Sequence, residues 1–299
     1  MQDRNIILTG LPRSGTTLTC HLLNKVPNTV ALHEPINVFQ WASLPYPFHE
    51  VICKDIDRFY GEMRRTLLDN GTAISGHVRG KVPDNPYGDF PALFSLLPKS
   101  SWWRRIAGRR VLRKPRHSRG FISFDKALSS DFLLCIKHNA GFTALLEPLS
   151  CHYPCVAIIR NPLSILASWN SIRFNIQTGR VPAAEMLDQA LAQRLSEIDS
   201  RIDRQLLILS WFFEKFERVL PRDHVIRYEA LVASGGQALA VITPHALELN
   251  EPLENKNKNK LYDRELMARL GEKLLKMDGP FWEFYSKESV EQLLNGLTV

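Results

Sequence analysis

Asn5-Ile6-Ile7-Leu8-Thr9-Gly10-Leu11-Pro12-Arg13-Ser14-Gly15-Thr16-Thr17-Leu18 is the stretch whose reading decides the fold. Its first five residues form an apolar, β-branched run that stops at a glycine, which predicts a buried strand. Residues 17–25 then carry Leu18, Leu22 and Leu23 at helical spacing. Strand, glycine-bounded loop and helix follow one another directly. At such a junction backbone amides and the helix dipole converge on an anion.

Working outward, the pattern recurs. Phe132 to Ile136 (FLLCI) precedes a predicted helix over 141–149, and Val156 to Ile159 (VAII) precedes one that starts near Leu163 and runs past Trp169. A shorter run, His224 to Tyr228, also leads into helical sequence. Continuous apolar strands alternating with helices predict an α/β fold whose parallel sheet is covered on both faces. Between about 41 and 130 the periodicity breaks down, and seven of the chain's 18 prolines fall there. This predicts a long irregular, partly helical insertion, with one helix over 57–68. The remainder, about 1–40 and 131–299, forms the core of a single domain, and the insertion is placed to shape an acceptor site. Residues 183–220 read as helical, with Trp211, Phe212, Phe213 and Phe216 as core. The run NKNKNK at 255–260 is low-complexity and basic, and a helix is expected over 263–276.

Composition narrows the function classes. With 299 residues, 44% hydrophobic and 23% charged, the chain excludes disorder and fibre. No run approaches the roughly 20 apolar residues that span a bilayer, and the N-terminus lacks a signal-peptide pattern, so a cytoplasmic protein is expected. Five cysteines, two inside apolar runs, predict reduced thiols. Cys151, His152 and Cys155 lack a fourth ligand, so no metal site is expected. A net charge of +7 favours an anionic ligand, polymer or surface.

The loop nearly matches the nucleotide phosphate loop G-x-x-x-x-G-K-[ST], but Thr16 stands where that motif has lysine. Nor does a later strand end in a magnesium-holding aspartate, since FLLCI leads to Lys137 and VAII to Arg160. A doubly charged phosphoryl group needs a metal to neutralise it. A sulfuryl group carries less charge, so amides and protein cations suffice. LPRSGTTL resembles the 5'-phosphosulfate loop of sulfotransferases that use 3'-phosphoadenosine 5'-phosphosulfate (PAPS), closest to their tyrosylprotein and carbohydrate branches. VAIIRNPLSILAS is similar to that family's 3'-phosphate motif. The resemblance implies a P-loop-like three-layer fold and PAPS as co-substrate, with 3'-phosphoadenosine 5'-phosphate (PAP) as product and no metal. It assigns cofactor binding to Arg13, Ser14, Gly15, Thr16, Thr17 and Leu18, and the 3'-phosphate to Arg160 and Ser168. Ser164 and Ser168 lie one helical turn apart on one face, and a guanidinium offers a forked, charge-assisted contact.

Sulfuryl transfer to a hydroxyl needs a base for the acceptor proton and positive charge near the leaving oxygen. Glu34 ends the second apolar run (Val30, Ala31, Leu32) where the resembling enzymes place a catalytic glutamate, and Pro35 biases it toward an extended backbone. His33 is the rival base. Lys137 resembles the lysine directed at the transferring group, a role Arg13 can share, or it snorkels over the sheet edge. Tyr228 either lies near the adenine or is a core tyrosine. Lys256 and Lys258 are placed to close over the 3'-phosphate, as a basic C-terminal loop does in relatives.

Residues 104–119 carry seven arginines and Lys114 with no acid, directly after Trp102 and Trp103. Three readings compete: a solvated face, a groove for an anionic glycan, and a membrane-surface patch at 102–119 able to meet a glycolipid. No feature calls for nucleic acid. The leading expectation is a PAPS-dependent sulfotransferase acting on a carbohydrate or glycoconjugate hydroxyl. Alternatives are a protein tyrosine sulfotransferase, a P-loop kinase with an atypical loop, and a non-enzymatic polyanion-binding module.

Overall fold

The computed structural model describes residues 4–77, 118–172 and 174–296. Its strands are β1 (Asn5–Gly10), β2 (Thr29–His33), β3 (Thr72–His77), β4 (Ser118–Ser123), β5 (Leu133–Lys137), β6 (Cys155–Ile159) and β7 (Val225–Arg227). Five of them form one sheet of order β2-β5-β1-β6-β7, and every pairing in it is parallel. The expected α/β architecture with a central parallel sheet is the observed one.

Alternation along each strand explains why these runs are apolar throughout. Ile7, Val30, Leu32, Leu134, Ile136, Ala157 and Ile159 face one core; Ile6, Leu8, Ala31, Cys135, Val156 and Ile158 face the other. A strand buried on both sides has no polar face to show in its sequence. Helix α1 (Thr16–Lys25) covers the second face with Leu22 and Leu23, both fully buried. Trp211, Phe212, Phe213 and Phe216 belong to the first core, as expected.

Three helix expectations need correction. Helix α2 spans His49–Asn70, almost twice the predicted 57–68, because no proline follows Pro47 until well beyond the helix and Ile52, Cys53, Ile56, Tyr60, Met63 and Leu67 make one continuous buried stripe. It ends where Gly71 takes φ 62° and its N–H bonds Leu67 O. The predicted 141–149 helix is two pieces, Ala140–Ala144 and Leu146–Ser150. Pro148 has no N–H to bond Ala144 and its ring would clash with that carbonyl, so the helix breaks before it. Likewise 183–220 divides into Pro182–Glu185, Gln189–Ser196 and Arg201–Val219, the last two begun by side-chain caps from Asp188 and Ser200. The described part of the insertion is regular rather than irregular, since α2 leads into the antiparallel pair β3-β4. Most of the basic stretch at 102–119 lies outside the described residues. All five cysteines are free. Among the described residues no helix is long and apolar enough to cross a membrane, and no group of three His, Cys, Asp or Glu is placed to hold a metal ion.

The registers bring the strand ends together. Leu8 and His33 both lie opposite Lys137, Gly10 opposite Ile158, and Ile159 opposite Arg227. Side chains leaving β2, β5 and β6 therefore converge on the loop after β1, in the crevice where open parallel sheets take ligands.

Candidate active site

A cavity of about 840 Å³ opens at that edge, lined by the loop, His33, Glu34, Lys137, His138, Arg160, Tyr228, Lys256 and a wall from Ile172, 174–176 and 180–183. The loop is shaped by its glycines. Gly10 has φ 150°, and a Cβ there would stand 2.4 Å from Ile158 O. Gly15 has φ 102°, and a Cβ there would stand 2.8 Å from Tyr228 Cδ2. Arg13 adopts φ 77° without being glycine, backbone strain of about 1–3 kcal/mol that persists only where the surroundings hold it. Thr19 N takes Gly15 O at 2.9 Å, so the amides of Thr16, Thr17 and Leu18 precede the first helical bond, and no side chain caps them. Those amides, with Gly15, Thr16, Thr17 and Leu18 on the cavity wall, make an anion cradle. Ser14 lies at the base of the loop. Its Oγ is fully buried beside Gly10, off the wall, with no hydrogen-bond partner, and its N–H bonds Leu11 O.

Arg160 leaves the end of β6 and is only 2% exposed. Its Nε donates to Asn257 Oδ1 (2.7 Å), one Nη to Arg13 O (3.1 Å) and the other to Tyr262 Oη (3.3 Å), and its Cζ lies 4.5 Å from the Tyr228 ring centroid. Each of these partners is neutral, so a buried guanidinium faces the cavity with no carboxylate in contact among the described residues. Asn257 bridges the guanidinium to a carboxylate, its Nδ2 donating to Glu229 Oε1 at 2.7 Å. Arg13 sits alongside, its Nε donating to Ser168 Oγ at 3.3 Å. Burial, together with the Arg160 charge and against the influence of Tyr262, lowers the Arg13 pKa to about 9, so it remains cationic at neutral pH.

On the other side of the loop, Lys137 Nζ donates to Glu34 Oε1 at 2.7 Å and to His33 Nε2 at 3.3 Å, while Thr17 Oγ1 lies 3.0 Å from the same His33 nitrogen. The Lys137 side chain is 3% exposed and that of Glu34 37%, so the cation is buried and the carboxylate half-open to the cavity. Lys137 is thus no snorkelling surface residue. Burial would push the Glu34 carboxyl up, but the charge of Lys137 and its hydrogen bond lead the opposing effects and hold the pKa well below the usual carboxylate range. An ammonium has no acceptor, so His33 Nε2 must present its lone pair to Lys137. Glu34 is not extended as Pro35 predicts. It takes φ 46°, fixed by its N–H to Lys137 O (2.8 Å), by Arg119 Nε to its carbonyl (2.7 Å) and by the Lys137 pair. Tertiary contacts override the local bias, and both strained non-glycine residues at the site, Arg13 and Glu34, border the cavity.

No family model matches the chain, and no curated protein does. Solved structures similar to it include two mycobacterial proteins. Sulfotransferase STF1 from Mycobacterium tuberculosis H37Rv has 16% identity and a TM-score of 0.31, the alignment covering 99% of this chain and 77% of that one. Sulfotransferase STF9 from Mycobacterium avium has 16% identity and a TM-score of 0.30, covering 99% and 76%.

Of the remaining sequence-derived candidates, Tyr228 is a buried wall residue wedged between Gly15 and Arg160, its Oη accepting from Lys256 N at 3.1 Å. Lys256 reaches the cavity but pairs with Glu254. Lys258 is exposed, turned against Gly296, and does not line the cavity. Ser168 is fully buried behind Arg13, and Ser164 Oγ donates to Asn257 O at 3.3 Å, so neither serine reaches the wall. Sequence reasoning missed Asn257, which lies in the run taken for a basic tail. It also missed His138, which burial keeps neutral by lowering its pKa to about 4, and the wall at 174–176 and 180–183.

Proposed function

We propose that this chain is a sulfotransferase that takes a sulfuryl group from PAPS and passes it to a hydroxyl, without a divalent metal. The observation that carries the reading is the placement of two buried cations, Lys137 from β5 and Arg160 from β6, on either side of a lysine-less phosphate loop. The donor set is made of amides, guanidinium and ammonium, which together favour an anion. Gly10 and Gly15, where any side chain would collide with Ile158 O or the Tyr228 ring, let the loop turn tightly so that its amides precede α1 at the cavity. In this reading the loop amides hold the 5' end, and Arg160 with Arg13 holds the 3'-phosphate. Tyr228 and Lys256 border the nucleoside.

Bound there, PAPS supplies a sulfuryl group on a phosphate leaving group. Lys137 does two things from one position. It offers its ammonium to the leaving oxygen, and until then it keeps Glu34 ionised and His33 Nε2 unprotonated. Both base candidates thus stand ready to take the acceptor proton. When Lys137 turns toward the leaving oxygen, Glu34 loses its strongest counter-charge and becomes a stronger base as the proton arrives. Calorimetric titration with PAP, set against ATP with magnesium, tests the reading. PAP binding tighter than ATP-magnesium is expected; the reverse order would assign the cradle to phosphoryl transfer instead.

A further inference from the structure

We infer that the acceptor is an apolar alcohol, a ring or chain whose hydroxyl is its polar end, rather than the carbohydrate expected from sequence. This rests on the sulfotransferase reading and deepens it. The cavity is chemically divided. The loop, Arg160, Tyr228 and Lys256 form one half. Across Lys137 and Glu34 the described wall is formed mainly by Phe39, Phe174, Ile176, Val181, Pro182 and Ala183.

The exposed rings and the lining around them select an apolar body. Phe39 and Phe174 stand 51% and 60% exposed at the wall, large rings left in water that an apolar ligand would cover. Ile172, Ile176, Val181, Pro182 and Ala183 continue that apolar lining. Among the described residues Arg180 pairs with Glu185, which leaves that cation already matched. A polyol laid along Phe39, Ile176, Val181 and Pro182 would set several hydroxyls against carbon, whereas an apolar alcohol brings one hydroxyl to Glu34 and covers the rings with its body. In the transfer, the acceptor oxygen forms the new O–S bond as the S–O bond to the nucleotide phosphate breaks. The bonding pair stays on that phosphate oxygen, and the acceptor proton passes to Glu34 or His33.

The test uses the full chain with sulfur-35-labelled PAPS, 4-butylphenol and N-acetylglucosamine as acceptors, and PAP calorimetry alongside. The expected result is labelling of 4-butylphenol with the higher kcat/KM. The variant Phe174→Glu, at an exposed position, should raise the KM for 4-butylphenol about tenfold, equivalent to about 1.4 kcal/mol, and leave PAP affinity unchanged. Preferential labelling of N-acetylglucosamine, an unmoved KM in Phe174→Glu, or PAP binding with no labelling of 4-butylphenol would each overturn the acceptor inference alone. Failure to bind PAP would overturn the parent reading.

Discussion

Replacing Arg160 by methionine separates what the residue does for the fold from what it does for a ligand. In the free protein two large effects oppose one another. Loss of the guanidinium removes bonds to Asn257 Oδ1, Arg13 O and Tyr262 Oη, and each acceptor left buried costs about 1–3 kcal/mol. Against this, a buried cation with no carboxylate in contact among the described residues carries a desolvation penalty of several kcal/mol, which methionine relieves. The two nearly cancel, so unliganded stability should change by less than about 2 kcal/mol. Nothing cancels for the ligand. A charge-assisted bond to phosphate is worth about 1.5–3 kcal/mol, so PAP affinity should fall roughly 10- to 150-fold at 1.4 kcal/mol per decade. AMP, which lacks the 3'-phosphate, should bind both proteins alike. At a PAP concentration about 100 times the wild-type Kd, linkage stabilises wild type by about 2.7 kcal/mol. A variant 100-fold weaker gains only about 0.4 kcal/mol by the same relation. Calorimetry and thermal melts with each nucleotide read both quantities. Equal loss of PAP and AMP affinity, or unchanged PAP affinity, would refute the assignment of Arg160 to the 3'-phosphate.

Other variants probe the remaining parts. Gly15→Ala forces a side chain to φ 102° and a Cβ against the Tyr228 ring; it should cost about 1–3 kcal/mol in urea unfolding and weaken PAP. Lys137→Met should show a pH-dependent penalty. In wild type the depressed Glu34 pKa contributes stability above its ordinary value of 4.5, lost as pH falls through the folded value. Without Lys137, burial dominates and raises that pKa, so the variant loses stability as pH rises past 4.5. Denaturant midpoints should therefore diverge from about pH 4 to about pH 7, reaching about 1–3 kcal/mol once the half-open position of Glu34 is allowed for; a constant gap would contradict the pairing. Glu34→Gln and His33→Ala should together identify the base, the true one losing about 10²–10⁴-fold in kcat with PAP affinity unchanged.

The loop and sheet were legible because their signal is local. Asn5 to Thr9 is apolar throughout, as a strand buried on both faces must be, and Gly10 and Gly15 mark the two backbone positions no side chain could occupy. Lys137 and Arg160 could be found because strand ends of a parallel sheet share one edge. What was not legible depends on partners distant in sequence. The left-handed Glu34 is fixed by Lys137 and by Arg119 from β4, which no local rule contains. In NKNKNK the lysines drew the reading, yet the asparagines order the segment. Asn255 Oδ1 accepts from Asn257 N, Asn259 Oδ1 accepts from Leu261 N, and Asn257 joins Arg160 to Glu229. Alternating asparagine is the composition of side-chain-capped turns as well as of low complexity. His138 gave no signal, because a single histidine after Lys137 has no spacing partner.

The most direct measurement of the central claim is nucleotide turnover in excess EDTA with a mixed pool of phenolic, alicyclic and saccharide alcohols. The account predicts that the wild-type chain converts PAPS to PAP under those conditions, and that Lys137→Met does so at least 100-fold more slowly while still binding PAP. Absence of PAP formation, with magnesium-dependent release of ADP from ATP, would contradict it.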